Sequence, residues 1–319
     1  MTKPHLRLAA VTLVGILALA ACSSDTGTGT DASTDSSTDA AATSEVSLGL
    51  ALSTLNNPFF VALRDGAQAA ADDAGVELVV TDARDDATQQ ANQVQNFSAQ
   101  QLDAVLINPV DSDAAGAMLA PLVEAGTPIV AVDRAVNGAE VNSFIASDNV
   151  AGGKLAAEAL ATAIGETGKV IVLQGVAGTS ASRERGQGFT EGIAAFPNIE
   201  VVATQPADFD RVKGLDVATN LLQANPDVVG IFAENDEMAL GAIQALGSRA
   251  GTDVFVVGFD GTDDGVAAID TGTLYASIAQ QPEELGRAAV EAALALVAGE
   301  TVEATVGVPV VVLTAESAS

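Results

Sequence analysis

Pro128-Ile-Val-Ala-Val-Asp133 and Val254-Phe-Val-Val-Gly-Phe-Asp260 are two versions of one pattern, a short apolar run without polar alternation that ends on an aspartate. A strand apolar on successive residues buries both of its faces, which is the condition of a parallel sheet covered by helices on both sides. Similar runs occur at Val46 to Leu52, Val76 to Val80, Ala104 to Ile107, Val170 to Leu173 and Val228 to Phe232. Longer Ala-rich segments of helical character separate them, so the order is βαβαβ. That order predicts an α/β protein of doubly wound sheets, with strands enough for two lobes.

Ligands of open α/β sheets sit beyond the carboxyl ends of the strands. The first polar residues past each run are Ser53, Asn108, Asp133-Arg134, Gln174, Asn235-Asp236 and Asp260. Two lobes with facing strand ends would make a cleft that carries two carboxylates. Asn57-Pro58-Phe59-Phe60 reads as a helix start, with Asn57 at the cap and Pro58 at the first helical position. A cap with two core rings explains it equally well, except that neighbours on a helix point about 100° apart, so one or both rings are expected to border the cleft. Ser182-Arg183-Glu184-Arg185-Gly186 is read as another helix start, where cations oppose the helix dipole and so call for a reason. Asp133-Arg134 as a surface ion pair would be worth little, but its place at a strand end argues for function. Asn235 suits the cap of a helix from Asp236 to Leu246, Phe209 is an aromatic in a polar loop, and Gln280-Gln281-Pro282 is a candidate crossing between lobes.

Composition removes most chemistry. The 319 residues include 42 acidic and 13 basic side chains, for a net charge of −29, with one His and one Cys. His5 and Cys22 flank an apolar stretch, Leu8 to Leu19, that follows Lys3 and Arg7. This is the layout of a secretory signal over residues 1–21, too short to span a membrane. Leu19-Ala20-Ala21-Cys22 resembles a bacterial lipobox, in which the Cys is acylated and becomes the new N-terminus. A chain cut there has no His, which excludes Ser-His-Asp and Cys-His machinery and His/Cys zinc sites. Its strong negative charge argues against nucleic acid and against anionic lipid. Residues 22–45, Ser/Thr-rich with Asp25, Asp31, Asp35, Asp39 and Glu45, read as a disordered acidic tether. Gly152-Gly153-Lys154 fails as a P-loop, since Asp148 and Leu155 stand where Gly and Ser/Thr are needed. No G-x-G-x-x-G follows a strand. Asp85-Asp86 and Asp263-Asp264 lack a calcium-loop pattern, so no metal and no cofactor is expected.

What remains is a set of carboxylates, Arg, Asn, Gln and Phe. Such a set suits a neutral polyhydroxylated ligand, whose hydroxyls take hydrogen bonds and whose C–H faces take rings.

Ser53-Thr-Leu-Asn-Asn-Pro-Phe-Phe60, Asn108-Pro-Val-Asp-Ser-Asp113, Ile145-Ala-Ser-Asp-Asn149, Leu173-Gln-Gly-Val-Ala-Gly-Thr-Ser180, Gln205-Pro-Ala-Asp-Phe-Asp-Arg211, Asn235-Asp-Glu-Met-Ala-Leu-Gly241 and Val257-Gly-Phe-Asp-Gly261 closely resemble the bacterial ribose-binding proteins, from about Val46 to Leu313. Those are secreted subunits of ABC sugar importers with the type I periplasmic binding protein fold. The resemblance implies two doubly wound parallel-sheet lobes joined by a three-stranded hinge, one from 46–147 and 281–308, the other from 148–280 and 309–319. It implies sugar contacts from Ser53, Asn57, Phe59, Phe60, Asp133 and Arg134 on one side, from Arg185, Phe209, Asn235, Phe259 and Asp260 on the other, and from Gln280 at a crossing. It also implies a monomer that binds a monosaccharide, ribose above others, and docks on an ABC permease; the lipobox and acidic tether depart from that family's free periplasmic form, and lipid on Cys22 is the one expected contact with the membrane. Related repressors begin with a DNA-binding segment where this chain has its secretion signal. Two alternatives stay open: a sensor for another pentose, hexose or furanose-like sugar, and a glycosidase using Asp133 and Asp260. Neighbouring Arg residues are expected to keep those carboxylates ionised, against the second alternative.

Overall fold

A computed structural model describes residues 46–317; the signal, Cys22 and tether readings lie outside the described residues. The first sheet contains β1 (Ser47–Leu52), β2 (Glu77–Asp82), β3 (Ala104–Ile107), β4 (Ile129–Val132), β5 (Ser143–Ser147) and β11 (Thr305–Val308). Its order is β11-β5-β4-β3-β1-β2, and each pairing is parallel. The second contains β6 (Gly168–Gln174), β7 (Ile199–Pro206), β8 (Val228–Ala233), β9 (Phe255–Asp260), β10 (Ala276–Ala279) and β12 (Val311–Thr314), in the order β12-β10-β9-β8-β6-β7. Only the β10–β12 pair is antiparallel among the described residues. The expected α/β class with two doubly wound sheets is the architecture found.

The unbroken apolar runs have the predicted cause. In the first sheet Leu48, Leu50, Leu106, Val130 and Val132 face one core with residues of α1 (Pro58–Ala74) and α9 (Pro282–Val297). Their neighbours Ala51, Val105, Ile107 and Ala131 face another, with residues of α2 (Ala87–Gln100) and α3 (Ala115–Ala125). In the second sheet Val170, Val172, Phe232 and Val257 lie under α4 (Asn149–Ala163) and α5 (Ser180–Ile193). Ile171, Leu173, Ile231 and Val256 lie under α6 (Arg211–Ala224), α7 (Asp236–Leu246) and α8 (Asp263–Asp270). At roughly 1.5–3 kcal/mol for each fully buried large side chain, these layers supply the main favourable term of folding.

Strands β5, β7, β10, β11 and β12 are absent from the apolar runs of the sequence. β7 is largely exposed and β11 half so, because both lie at sheet edges with one side to solvent. The α5 helix starts at Ser180 under a Thr179 cap, two residues before the predicted start. Arg185 therefore lies in the second turn, and the dipole conflict inferred from sequence does not arise there.

The chain passes between the sheets after Ser147, at Gln280-Gln281 and at Pro309-Val310. The three passages are bonded together: Asp148 N–H donates to Val308 O at 3.1 Å, and Gln281 Nε2 to Pro309 O at 3.0 Å. The carboxyl ends of both sheets consequently face one space.

Candidate functional site

That space holds a cavity of about 20 Å³. From the first sheet and its helices come Asn57, Phe59, Phe60, Asp133 and Arg134. From the second come Arg185, Phe209, Asn235 and Asp260, with Gln280 from a crossing. Ten of the twelve residues singled out from sequence thus share one wall, joined by Ala181.

Local structure explains their aim. Asn57 Oδ1 caps α1 by accepting from Phe59 N at 2.9 Å, and Pro58 holds the first turn. The Phe59 and Phe60 rings meet edge to face at 5.1 Å and are both buried. Asn235 caps α7 through Met238 N at 3.0 Å while its Nδ2 reaches Phe209 O at 3.3 Å, so the cap and the site share one side chain. Asp133, Phe209 and Asp260 have φ of 64°, 58° and 120°, a region that L residues avoid, and backbone strain of this kind is typical of functional sites. Gly175 has a specific role, since a Cβ there would stand 2.0 Å from the Phe209 ring.

Ser53 and Phe259 stand behind the wall. Ser53 Oγ donates to Asn108 Oδ1 at 2.7 Å, and Asn108 Nδ2 donates to Asp133 Oδ2 at 3.0 Å. Phe259 lies under the Arg185 guanidinium, 3.9 Å from ring centre to Cζ. Strand alternation carries the signal for Phe259: Asp260 and its predecessor must point to opposite faces. Asp236, another strand-end residue, turns to Thr262 and Ser277, and Gln174 lines a different groove along α5. Sequence reasoning missed Asn149, which accepts from Arg185 Nε at 2.9 Å, and no spacing pattern connects these two residues.

Electrostatically the wall is balanced. Arg134 lies 3.8 Å from Asp133, and Arg185 lies 3.6 Å from Asp260; each side chain is at least 96 % buried, so neither pair is a surface bridge. The Phe209 ring lies 5.8 Å and 5.7 Å from the two guanidinium carbons. Burial pushes the Asp133 carboxyl up, against the pull of Arg134 and Arg185. Burial, with Asp236 adding to it, pushes Asp260 well up against Arg185. Burial likewise pulls Arg134 down. This corrects the expectation that the arginines would dominate: in a site this deep, desolvation of the charged form outweighs the opposite charge. Arg134 Nε and Gln280 Oε1 are buried with no hydrogen-bond partner, one donor and one acceptor on residues of the wall. Among the described residues, no cluster of three or more His, Cys, Asp or Glu is placed to hold a metal.

The arrangement offers paired charges, amides and rings to a small molecule.

Known proteins share this build. The chain is 50 % identical over 263 residues to the ribose import binding protein of Escherichia coli, covering 82 % of this chain and 88 % of that protein. It is 47 % identical over 273 residues to the ribose import binding protein of Haemophilus influenzae, covering 86 % and 93 %. An ABC transporter periplasmic solute-binding protein of Actinobacillus succinogenes, solved with bound D-allose, superimposes with a TM-score of 0.81 at 32 % identity, over 86 % of this chain and 99 % of that one. With the periplasmic binding protein domain model matching residues 48–301, the chain belongs to the periplasmic binding protein family.

Proposed function

We propose that the protein is the solute-binding subunit of an ABC importer, and that it captures a neutral monosaccharide, D-ribose before others, between its lobes and presents it to a membrane permease. One observation carries the reading: two buried Arg–Asp pairs, one from each sheet, meet amides and Phe rings around one enclosed space. A neutral polyol exchanges hydrogen bonds with such pairs without disturbing the charge balance, whereas a sugar phosphate would bring an unpaired anion into a desolvated site. Asn57, Asp133, Arg134, Arg185, Asn235, Asp260 and Gln280 are the proposed polar contacts, with Phe59, Phe60 and Phe209 as covering rings and Ser53 and Phe259 as supports.

The relatives named for ribose favour that sugar, and the neighbour solved with D-allose keeps hexoses in the comparison. Calorimetric titration of the purified protein with ribose, arabinose, xylose, galactose, allose and ribose 5-phosphate decides among them. Ribose is expected to bind tightest and the phosphate not at all; absence of binding by any pentose would overturn the ribose assignment. The proposed role is binding without catalysis: a glycosidase needs one raised carboxyl as general acid and one ionised carboxylate, whereas burial raises both Asp133 and Asp260. Release of reducing sugar from an oligosaccharide would reverse that assignment. Cys22 is the proposed lipid attachment point, holding a monomer at the extracytoplasmic face of the membrane on its tether. A Cys22→Ala chain should then appear in the soluble fraction and fail to incorporate labelled palmitate.

A further inference from the structure

Glu234 follows the last residue of β8, next to Asn235, yet its side chain turns away from the cavity and is fully buried. Its Oε2 accepts the Gly175 N–H at 2.7 Å and the Ser182 hydroxyl. Its main-chain carbonyl accepts Arg185 Nη1 at 2.7 Å. Oε1 has no partner and lies beside Gly186, where a Cβ would stand 3.0 Å from it.

Gly175 and Ser182 are the two ends of one loop, from the end of β6 to the first turn of α5. That loop carries hydrogen bonds to the other lobe. Gly178 O accepts Ser112 N–H at 3.1 Å, Ser180 N–H donates to Ser112 Oγ at 3.1 Å, and Ser180 Oγ accepts Ala135 N–H at 2.8 Å. A single carboxyl therefore clasps both ends of the segment that meets the opposite lobe, while the same residue holds a guanidinium of the cavity wall.

We propose that Glu234 is a positioning residue for ligand capture: it presets the 175–182 loop to meet Ser112 and Ala135, fixes Arg185 through its carbonyl, and thereby sets how long a captured ligand stays. The inference rests on the reading of the cavity as a sugar site. Bonds made after encounter act mainly on dissociation, so loosening this loop should change the rate of leaving more than the rate of entry. The charged group that faces the carboxyl is Arg185, because Asp236 is engaged by Thr262 and Ser277.

Two measurements on the purified protein and its Glu234→Ala and Glu234→Gln variants separate positioning from bulk stability. The first is hydrogen exchange of the 175–182 amides at constant pH without sugar. The second is dissociation of radiolabelled ribose, chosen because the chain has no Trp to report binding. Glu234→Ala is expected to speed loop exchange and ribose dissociation by about tenfold each, with association changed less than about twofold. Glu234→Gln keeps an acceptor for both donors and should return both readings to within about threefold of wild type. Loop exchange unchanged in Glu234→Ala, or as fast in the Gln variant as in the Ala variant, would overturn the proposal. If Glu234→Ala does not fold, Ser182→Ala, which frees one end of the clasp, takes its place with the same expected direction. If wild-type protein binds no ribose, the functional reading fails while loop exchange still decides the role of Glu234.

Discussion

Ser180 Oγ in one lobe accepts the backbone N–H of Ala135 in the other at 2.8 Å, two residues past the Asp133 that lines the cavity. The bond joins a helix start to a strand end and exists only while the lobes are close. Ser180→Ala should therefore weaken ligand binding by about 0.5–1.5 kcal/mol, a two- to tenfold rise in Kd, chiefly through faster dissociation. Calorimetry and label-release rates check this. Arg183→Ala, which removes an exposed interlobe pair with Asp113, should cost less than about 1 kcal/mol and fade further at high salt.

Asn149 is the acceptor that holds Arg185 Nε, and its Nδ2 contacts Glu184 at 3.3 Å. Asn149→Ala leaves a buried guanidinium N–H unpaired, which costs about 1–3 kcal/mol. The loss is expected in ribose affinity more than in thermal stability, since Arg185 keeps the Glu234 carbonyl and gains freedom to leave its working orientation. Affinity equal to wild type would remove Asn149 from the support of the site.

What is legible in the sequence follows from what each residue's role depends on. Asp133 and Asp260 can be read because each ends an apolar run, and chain order alone puts strand ends at a ligand. Asn57 and Asn235 can be read because capping is a local rule. Ser180 with Ala135 and Asn149 with Arg185 cannot, because these pairs form only after two lobes or two helices meet. Phe259 stands one layer further back than its place at a strand end suggests, because the last two residues of a strand face opposite ways. The carboxyls of Asp133 and Asp260 titrate against expectation for a related reason: the arginines of the site are visible in the sequence, but the depth at which the carboxyls lie is not. The edge strands β7 and β11 carry no apolar run because water covers one side of each.

Gly175→Ala tests the seating of Phe209. The added methyl would collide with the ring at 2.0 Å, and the guanidinium groups of Arg134 and Arg185, 5.8 Å and 5.7 Å from the ring centre, limit how far the ring can step aside. Overpacking of this kind costs about 1–3 kcal/mol. Here it should appear as a five- to hundredfold rise in Kd, on the order of what that cost converts to. Phe209→Leu in the Gly175→Ala background should recover part of the affinity by making room, and no recovery would mean that the clash lies elsewhere.

The pH dependence of stability has a defined sign. Burial pushes the Glu234 carboxyl up to about 7 from its ordinary value of 4.5, against its bonds to Gly175 and Ser182 and the charge of Arg185. Burial pushes Asp236 up to about 6 from 3.8, although Ser277 and Thr262 bond to it. A carboxyl that holds its proton more tightly when folded favours the folded state where only the unfolded chain would ionise. Its contribution is full below the unfolded value and is lost as pH rises through the folded one, at about 1.4 kcal/mol for each pH step between the two. Thermal unfolding should therefore show the melting temperature falling between about pH 4.5 and 7, with most of the loss above pH 6 belonging to Glu234. Glu234→Gln cannot ionise, so its melting temperature should fall less over that interval and the two curves should converge toward acid. Parallel curves from about pH 5 to 8 would show that Glu234 does not titrate there, and would leave the pH dependence to Asp236, Asp133 and Asp260, whose carboxyls burial also raises.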